Sequence, residues 1–140
     1  MKIQVDNKAI ILDGARLIYD LYFFPGDGYD DVSLPAKAKD VFLLPWARAI
    51  QKSSDKGGPL FLPYAPDDEW IECLKAILKD DKIVLNLVQV GENGYAVDFG
   101  DFETFITSPH EIDEESPEVF GEFNKDEFVQ ALVEAEVIDE

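Results

Sequence analysis

The sequence predicts an α+β fold, in which a mainly antiparallel sheet packs against about four helices. Apolar runs separated by turn signals indicate hairpins rather than long crossovers. The expected order of elements, β-β-α-α-α-β-β-β-α, lacks the strand–helix alternation that builds parallel sheets, so a dinucleotide-binding fold is disfavoured. At 140 residues, 46% of them hydrophobic, the chain has the size of a single domain, 1–140, with a packed core.

The first elements are a hairpin and an ambiguous segment. Strands at 2–5 and 9–12 are expected on either side of a polar turn. In the next segment, 14–24, Leu17 and Leu21 fit one face of a helix, whereas the aromatic residues suit a strand. We favour a helix there, ended by a loop rich in proline and glycine.

Two helices are expected in the middle of the chain. The first covers 34–54 and is ended or kinked by Pro45, which has no backbone N–H to donate. The second, at 67–79, is the clearest, and Cys73 would be a small buried group on it. Its apolar stripe recurs with a period of 3.6 residues at Trp70, Ile71, Leu74, Ile77 and Leu78.

The last part of the chain is expected to complete the sheet and to add one helix. The predicted strands are 83–90, which is apolar on both faces and therefore central, followed by 95–99 and 102–107. An acidic loop at 108–122 comes next. Asn124 with Glu127 three residues later forms a capping box, which opens a helix that buries Phe128, Leu132 and Val133.

No motif for catalysis, metal binding or cofactor binding is present. The chain lacks glycine-rich phosphate loops, and one cysteine and one histidine cannot build a disulfide framework or a histidine-based zinc site. His110 is expected in the loop as a solvated residue. The acids at 27–31 fail the EF-hand pattern, because its third, sixth and twelfth positions hold Tyr29, Val32 and Ala38. We therefore expect no metal, no cofactor and no enzymatic activity.

Nucleic acid and membranes are also disfavoured as partners. Phosphate contacts need clustered Lys and Arg, whereas the 12 bases here are scattered among 30 acids. No apolar run approaches the length of a membrane span, and the amino terminus lacks the pattern of a signal peptide. We expect a soluble, cytoplasmic protein.

The acidity of the chain is concentrated in its last third. From 98 to 140 there are fifteen acids and one base, Lys125, which accounts for 14 of the 18 net negative charges. The same segment holds six of the ten Phe residues, whereas disordered acidic tails are poor in aromatics. We therefore expect a folded acidic surface. Such a surface favours a basic partner, although acids that serve only solubility are an alternative.

These observations favour a non-catalytic acidic protein that neutralises a basic protein partner. Small size and acidity resemble the bacterial immunity proteins that inhibit nuclease toxins, a likeness of composition only. The alternatives are an interaction or adaptor domain without an inhibitory role and, third, a small hydrolase that uses acidic residues. The residues expected to bind the partner are Asp98, Asp101, Glu103, Glu111, Asp113, Glu114, Glu115, Glu118 and Glu122.

Overall fold

The computed structural model describes residues 1–21, 33–53, 57–67, 69–91 and 101–138, and within these ranges it confirms the α+β class. Two mostly antiparallel sheets and three helices are present there, rather than about four helices. The buried residues of both sheets and all three helices form one hydrophobic cluster. None of the described helices has both the length and the apolar composition to cross a membrane.

The smaller sheet is built around the predicted amino-terminal hairpin. Strands β1 (Ile3–Val5) and β2 (Ala9–Leu12) pair antiparallel, which confirms the hairpin. In the turn between them, the Asp6 carboxylate accepts hydrogen bonds from the backbone N–H groups of residues 8 and 9, each at 2.8 Å. These bonds favour the ionised carboxylate and hold the pKa of Asp6 below its ordinary value.

The helix expected at 14–24 is wrong where the structure describes it, because Ala15–Ile18 is a strand, β3, paired antiparallel with β2. Asp13 and Gly14 have φ values of 48° and 90°. Two consecutive residues with positive φ form the tight turn that matches the twist of a hairpin. The chain therefore reverses directly from β2 into β3. Residues 22–24 lie outside the described ranges.

A 19-residue helix, α1, covers residues 34–52 and passes through Pro45 without ending there. A π-helical turn, Lys39–Leu43, comes immediately before this proline. Pro45 has no N–H to donate to the preceding turn, and the wider turn accommodates it within a continuous helix. The buried Trp46 that follows donates its indole N–H to the Pro63 carbonyl of the larger sheet, at 3.0 Å.

The larger sheet contains five strands in the described ranges. They are β4 (Leu60–Pro66), β5 (Ile71–Lys79), β6 (Lys82–Val90), β7 (Ile112–Glu115) and β8 (Gly121–Asn124). Strand β6 is central as predicted, with β5 on one side and both β7 and β8 on the other, and β4 lies beyond β5.

The helix expected at 67–79 is wrong, since Ile71–Lys79 is strand β5. This strand pairs with a neighbour on each side, and its buried residues project from both faces. A strand covered on both faces lacks the alternation of apolar and polar residues by which strands are usually recognised. Cys73 is fully buried, as expected, but on this strand rather than on a helix.

Further differences concern the residues after β6. The expected strand 102–107 is wrong, because Phe102–Thr107 is a short helix, α2, that buries Phe102, Phe105 and Ile106. The expected strand 95–99 lies outside the described residues. The expected loop 108–122 contains β7 and the beginning of β8.

The predicted start of the last helix at Asn124 is confirmed, with Asn124 as its N-cap. Asn124 accepts a hydrogen bond from the Glu127 N–H at 3.0 Å and begins helix α3 (Lys125–Val133). This helix buries Phe128 and Leu132, whereas Val133 is 47% exposed, contrary to expectation. The chain then returns to the smaller sheet, where β9 (Glu136–Val137) pairs parallel with β1.

Candidate partner-binding site

Strands β7 and β8 form one interrupted strand along the outer edge of the larger sheet. Both pair antiparallel with β6, and between them Ser116 and Phe120 donate backbone hydrogen bonds to the carbonyls of Leu87 and Leu85, each at 2.9 Å. Residues 117–119 bulge out between these two bonds. We call residues 111–122 the acidic edge. Among the described residues, no strand pairs with its outer side.

Six of the nine acids predicted to bind a partner lie on the acidic edge, and all six are exposed. Glu115 forms an ion pair with Lys75, and Glu122 forms one with Lys82 at 3.5 Å. The hydrogen bond from Lys75 holds the pKa of Glu115 below its ordinary value. The remaining four have no ion-pair partner within the described part of the chain: Glu111, Asp113, Glu114 and Glu118.

The other three predicted acids do not lie on the acidic edge. Asp98 lies outside the described residues. Asp101 caps α2, where its carboxylate accepts hydrogen bonds from the backbone N–H and the hydroxyl of Thr104, at 3.3 and 2.6 Å. Glu103 bonds Arg48 and also Lys52, the latter at 2.8 Å, and these hydrogen bonds lower the pKa of Glu103. Asp101 and Glu103 thus stabilise α2 and its contact with α1.

His110 is not the solvated loop residue expected from the sequence. It is half-buried, and its ring lies 4.2 Å from the ring of Phe105 and 5.1 Å from that of Phe61, measured between centroids. Its Nε2 atom lies 2.7 Å from the Phe105 carbonyl oxygen. This packing anchors the segment that leads from α2 into the acidic edge.

Sequence reasoning missed a pocket beside the acidic edge, which we call the Tyr64 pocket. It has a volume of about 350 Å³ and opens between β4 and β7 on one face of the sheet. Across its floor, Glu72 of β5 lies opposite Gln89 of β6, which lies opposite Glu114 of β7. Tyr64, Leu87 and Pro117 also line the pocket.

Two β-bulges lie beside this row of polar residues. The register of β4 shifts between Pro63 and Ala65, which leaves Tyr64 as the extra residue, and the register of β7 shifts at Asp113. A bulge redirects the side chain of its extra residue and increases the local twist. The pocket therefore depends on pairings between distant segments, which no local pattern in the sequence reveals.

The chemistry of these residues fits binding of positive charge. The carboxyl pKa shifts that the described residues show, at Asp6, Glu103 and Glu115, are all downward, and each is caused by hydrogen-bond donors. Among the described residues, no three side chains of His, Cys, Asp or Glu are placed to hold one metal ion. The exposed carboxylates of the acidic edge are hydrogen-bond acceptors.

Fold and site together define an α+β protein with an acidic sheet edge and an adjoining acidic pocket. No protein-family model matches the chain, and no curated protein or solved structure matches it either.

Proposed function

We propose that this chain is a non-catalytic binding protein that neutralises a basic protein, and that the partner is a nuclease toxin countered in the bacterial cytoplasm. One observation carries this proposal. Glu111, Asp113, Glu114 and Glu118 lie exposed on the acidic edge without ion-pair partners among the described residues. A basic surface would supply the counter-charges that the described residues do not.

Electrostatic repulsion on the acidic edge favours such a partner. Carboxylates fixed close together on a sheet repel one another, and bases brought by a partner relieve this repulsion on binding. The same field steers a basic protein into encounter, which raises association rate constants toward 10⁸ M⁻¹s⁻¹, from roughly 10⁵–10⁶ M⁻¹s⁻¹ without steering. Rapid capture suits the neutralisation of a toxin.

The clefts of nucleases have complementary chemistry. They hold clustered Lys and Arg to bind phosphate groups, and the same side chains form strong charge-assisted hydrogen bonds with carboxylates. Val119, which is 60% exposed, lies in the 117–119 bulge among the acids. It would add an apolar contact at the centre of an otherwise polar interface.

Capture of the partner tests the proposal when two variants with equal charge are compared. The first variant changes Glu111, Asp113 and Glu118 on the acidic edge to Lys. The control changes Asp40, Asp126 and Glu134, which are exposed on the helical side, to Lys. Each triple changes the net charge from −18 to −12.

The wild-type protein and the control should retain a basic protein from an extract of the source organism at low salt, and the edge variant should not. That protein, purified, should have nuclease activity that the wild type suppresses and the edge variant does not. Equal loss of binding in both triples would reject the acidic edge as the interface. A partner that binds without losing activity would reject inhibition in favour of an adaptor role.

A further inference from the structure

One residue that lines the Tyr64 pocket carries a polar group without a hydrogen-bond partner in the described ranges. Tyr64 is only 7% exposed, and its hydroxyl has no hydrogen-bond partner among the described residues. Every described side-chain N or O atom that is sealed from solvent does have a partner. The hydroxyl is therefore not sealed from solvent, and Tyr64 is one of the residues that line the pocket.

Two carboxylates flank the same pocket. Glu72 and Glu114 occupy the ends of the polar row, with Gln89 between them, and neither has an ion-pair partner among the described residues. Burial and the charge of Glu72 raise the pKa of Tyr64 well above its ordinary value. Tyr64 therefore stays protonated, and its hydroxyl can both donate and accept a hydrogen bond.

The spacing of the acceptors favours one kind of cation. Adjacent strands lie about 4.8 Å apart, so the backbones of Glu72 and Glu114 are separated by about 10 Å. A guanidinium group has five N–H donors in a planar fork and can bond acceptors on two sides, whereas an ammonium is a compact point charge. Leu87 and Pro117 offer apolar contact for the methylene groups of the same side chain.

We propose that the Tyr64 pocket binds the guanidinium group of an arginine side chain, with Glu72 and Glu114 as acceptors and the Tyr64 hydroxyl as a third hydrogen-bonding group. The inference rests on the proposed function for the source of the arginine, which is the basic partner. The pocket volume of about 350 Å³ lies at the low end for ligand sites, as a single side chain requires.

A small probe tests the pocket without the partner. Isotope-labelled protein is titrated at low salt with N-acetyl-L-arginine amide, and the aromatic NMR signals of Tyr64 and the backbone amide of Gln89 are followed. We expect saturable shifts with a dissociation constant on the order of millimolar. N-acetyl-L-lysine amide should bind at least threefold more weakly, and the uncharged N-acetyl-L-citrulline amide should produce no saturable shift.

Conservative substitutions show which side chains contact the arginine probe. Glu72→Gln and Glu114→Gln should each weaken arginine binding at least fivefold, and Tyr64→Phe at least twofold. Thermal unfolding should be unchanged, because the lost groups have no ion-pair or hydrogen-bond partner among the described residues. The matched control is Glu118→Gln, which changes an acid that does not line the pocket and has no ion-pair partner in the described part of the chain. It should bind like the wild type. Equal weakening by Glu118→Gln, equal binding of the lysine probe, or no saturable shift at Tyr64 would overturn the proposal.

The experiments distinguish an error in the pocket proposal from an error in the proposed function. If the probe saturates Tyr64 but no basic protein is captured or inhibited, the pocket stands and the toxin proposal fails. If a nuclease is inhibited equally well by the wild type and by the Glu72→Gln and Glu114→Gln variants, the function stands and the pocket proposal is overturned.

Discussion

Lys75 of β5 forms an ion pair with Glu115 of β7, across the intervening strand β6. The Lys75 side chain is only 17% exposed, whereas that of Glu115 is 39% exposed. The pair ties the outer edge of the sheet to its interior. It also neutralises one carboxylate of the acidic edge, so the charge available to a partner is concentrated at the neighbouring acids.

This pair predicts a specific dependence on pH. The pKa of Glu115 is lowered in the folded protein by its hydrogen bond to Lys75, so the folded state binds fewer protons there than the unfolded state. The stabilising contribution is therefore present above the ordinary pKa of Glu and is lost as the pH falls through the lowered value. The Glu115 titration midpoint, measured by NMR, should rise in Lys75→Met.

Stability measurements supply the second readout for Lys75→Met. The difference in free energy of unfolding between the wild type and this variant should shrink as the pH falls from about 6 to about 3, because protonated Glu115 no longer benefits from Lys75. Lys79→Met, which removes an exposed base of the same strand, is the control and should leave the Glu115 midpoint in place. A midpoint that does not move in Lys75→Met would show that the ion pair is not formed in solution.

Replacing Trp46 by phenylalanine should greatly reduce the stability of the protein, although the two side chains are similar. Its indole N–H bonds the Pro63 carbonyl inside the core, and Trp46→Phe would leave that carbonyl without its partner. We expect a loss of about 1–3 kcal/mol in the free energy of unfolding, measured by urea denaturation. The half-exposed Trp70 provides the comparison, since Trp70→Phe should change stability by less than about 1 kcal/mol.

A substitution at Gly14 should lower the stability of the protein through backbone conformation alone. Its φ of 90° is strained for residues that carry a Cβ, yet a Cβ built there has no atom within 4 Å. Gly14→Ala should therefore destabilise the protein by about 1 kcal/mol through backbone strain, without a steric clash. Differential scanning calorimetry measures this loss. An unchanged melting temperature would mean that the turn between β2 and β3 tolerates a different conformation.

The same turn shows which part of the fold was readable from local sequence. Asp13-Gly14 between two apolar runs is typical of a hairpin turn, and this pair predicts strand β3. The helical spacing of Leu17 and Leu21 is the weaker signal. The first hairpin, the central strand β6 and the Asn124 cap were predicted because each depends on residues close together in sequence.

The missed features depend on contacts between distant segments. Strand β5 was mistaken for a helix because buried residues project from both its faces, so the alternation that marks a half-exposed strand is missing. The acidic segment was predicted as a loop, although β6 recruits parts of it as edge strands. The row of Glu72, Gln89 and Glu114 exists only through the register of three strands, and the intervening chain carries no signal of that register.

The charge of the acidic edge predicts a steep salt dependence of partner binding. Exposed charges are screened beyond about 10 Å at 0.1 M salt, so the field that steers the partner weakens quickly as salt is added. Between 20 and 200 mM salt the association rate constant of the wild type should fall at least tenfold, measured by stopped-flow fluorescence or surface plasmon resonance.

The matched triples decide whether this field arises at the acidic edge or from net charge alone. With Glu111, Asp113 and Glu118 changed to Lys, association should be slow at 20 mM salt and nearly independent of salt, because the local field is reversed. The triple at Asp40, Asp126 and Glu134 carries the same net charge and should keep most of the wild-type rate and its salt dependence. If the two triples lose the same fraction of the rate, net charge drives association, and the position of the three acids on the acidic edge has no special role.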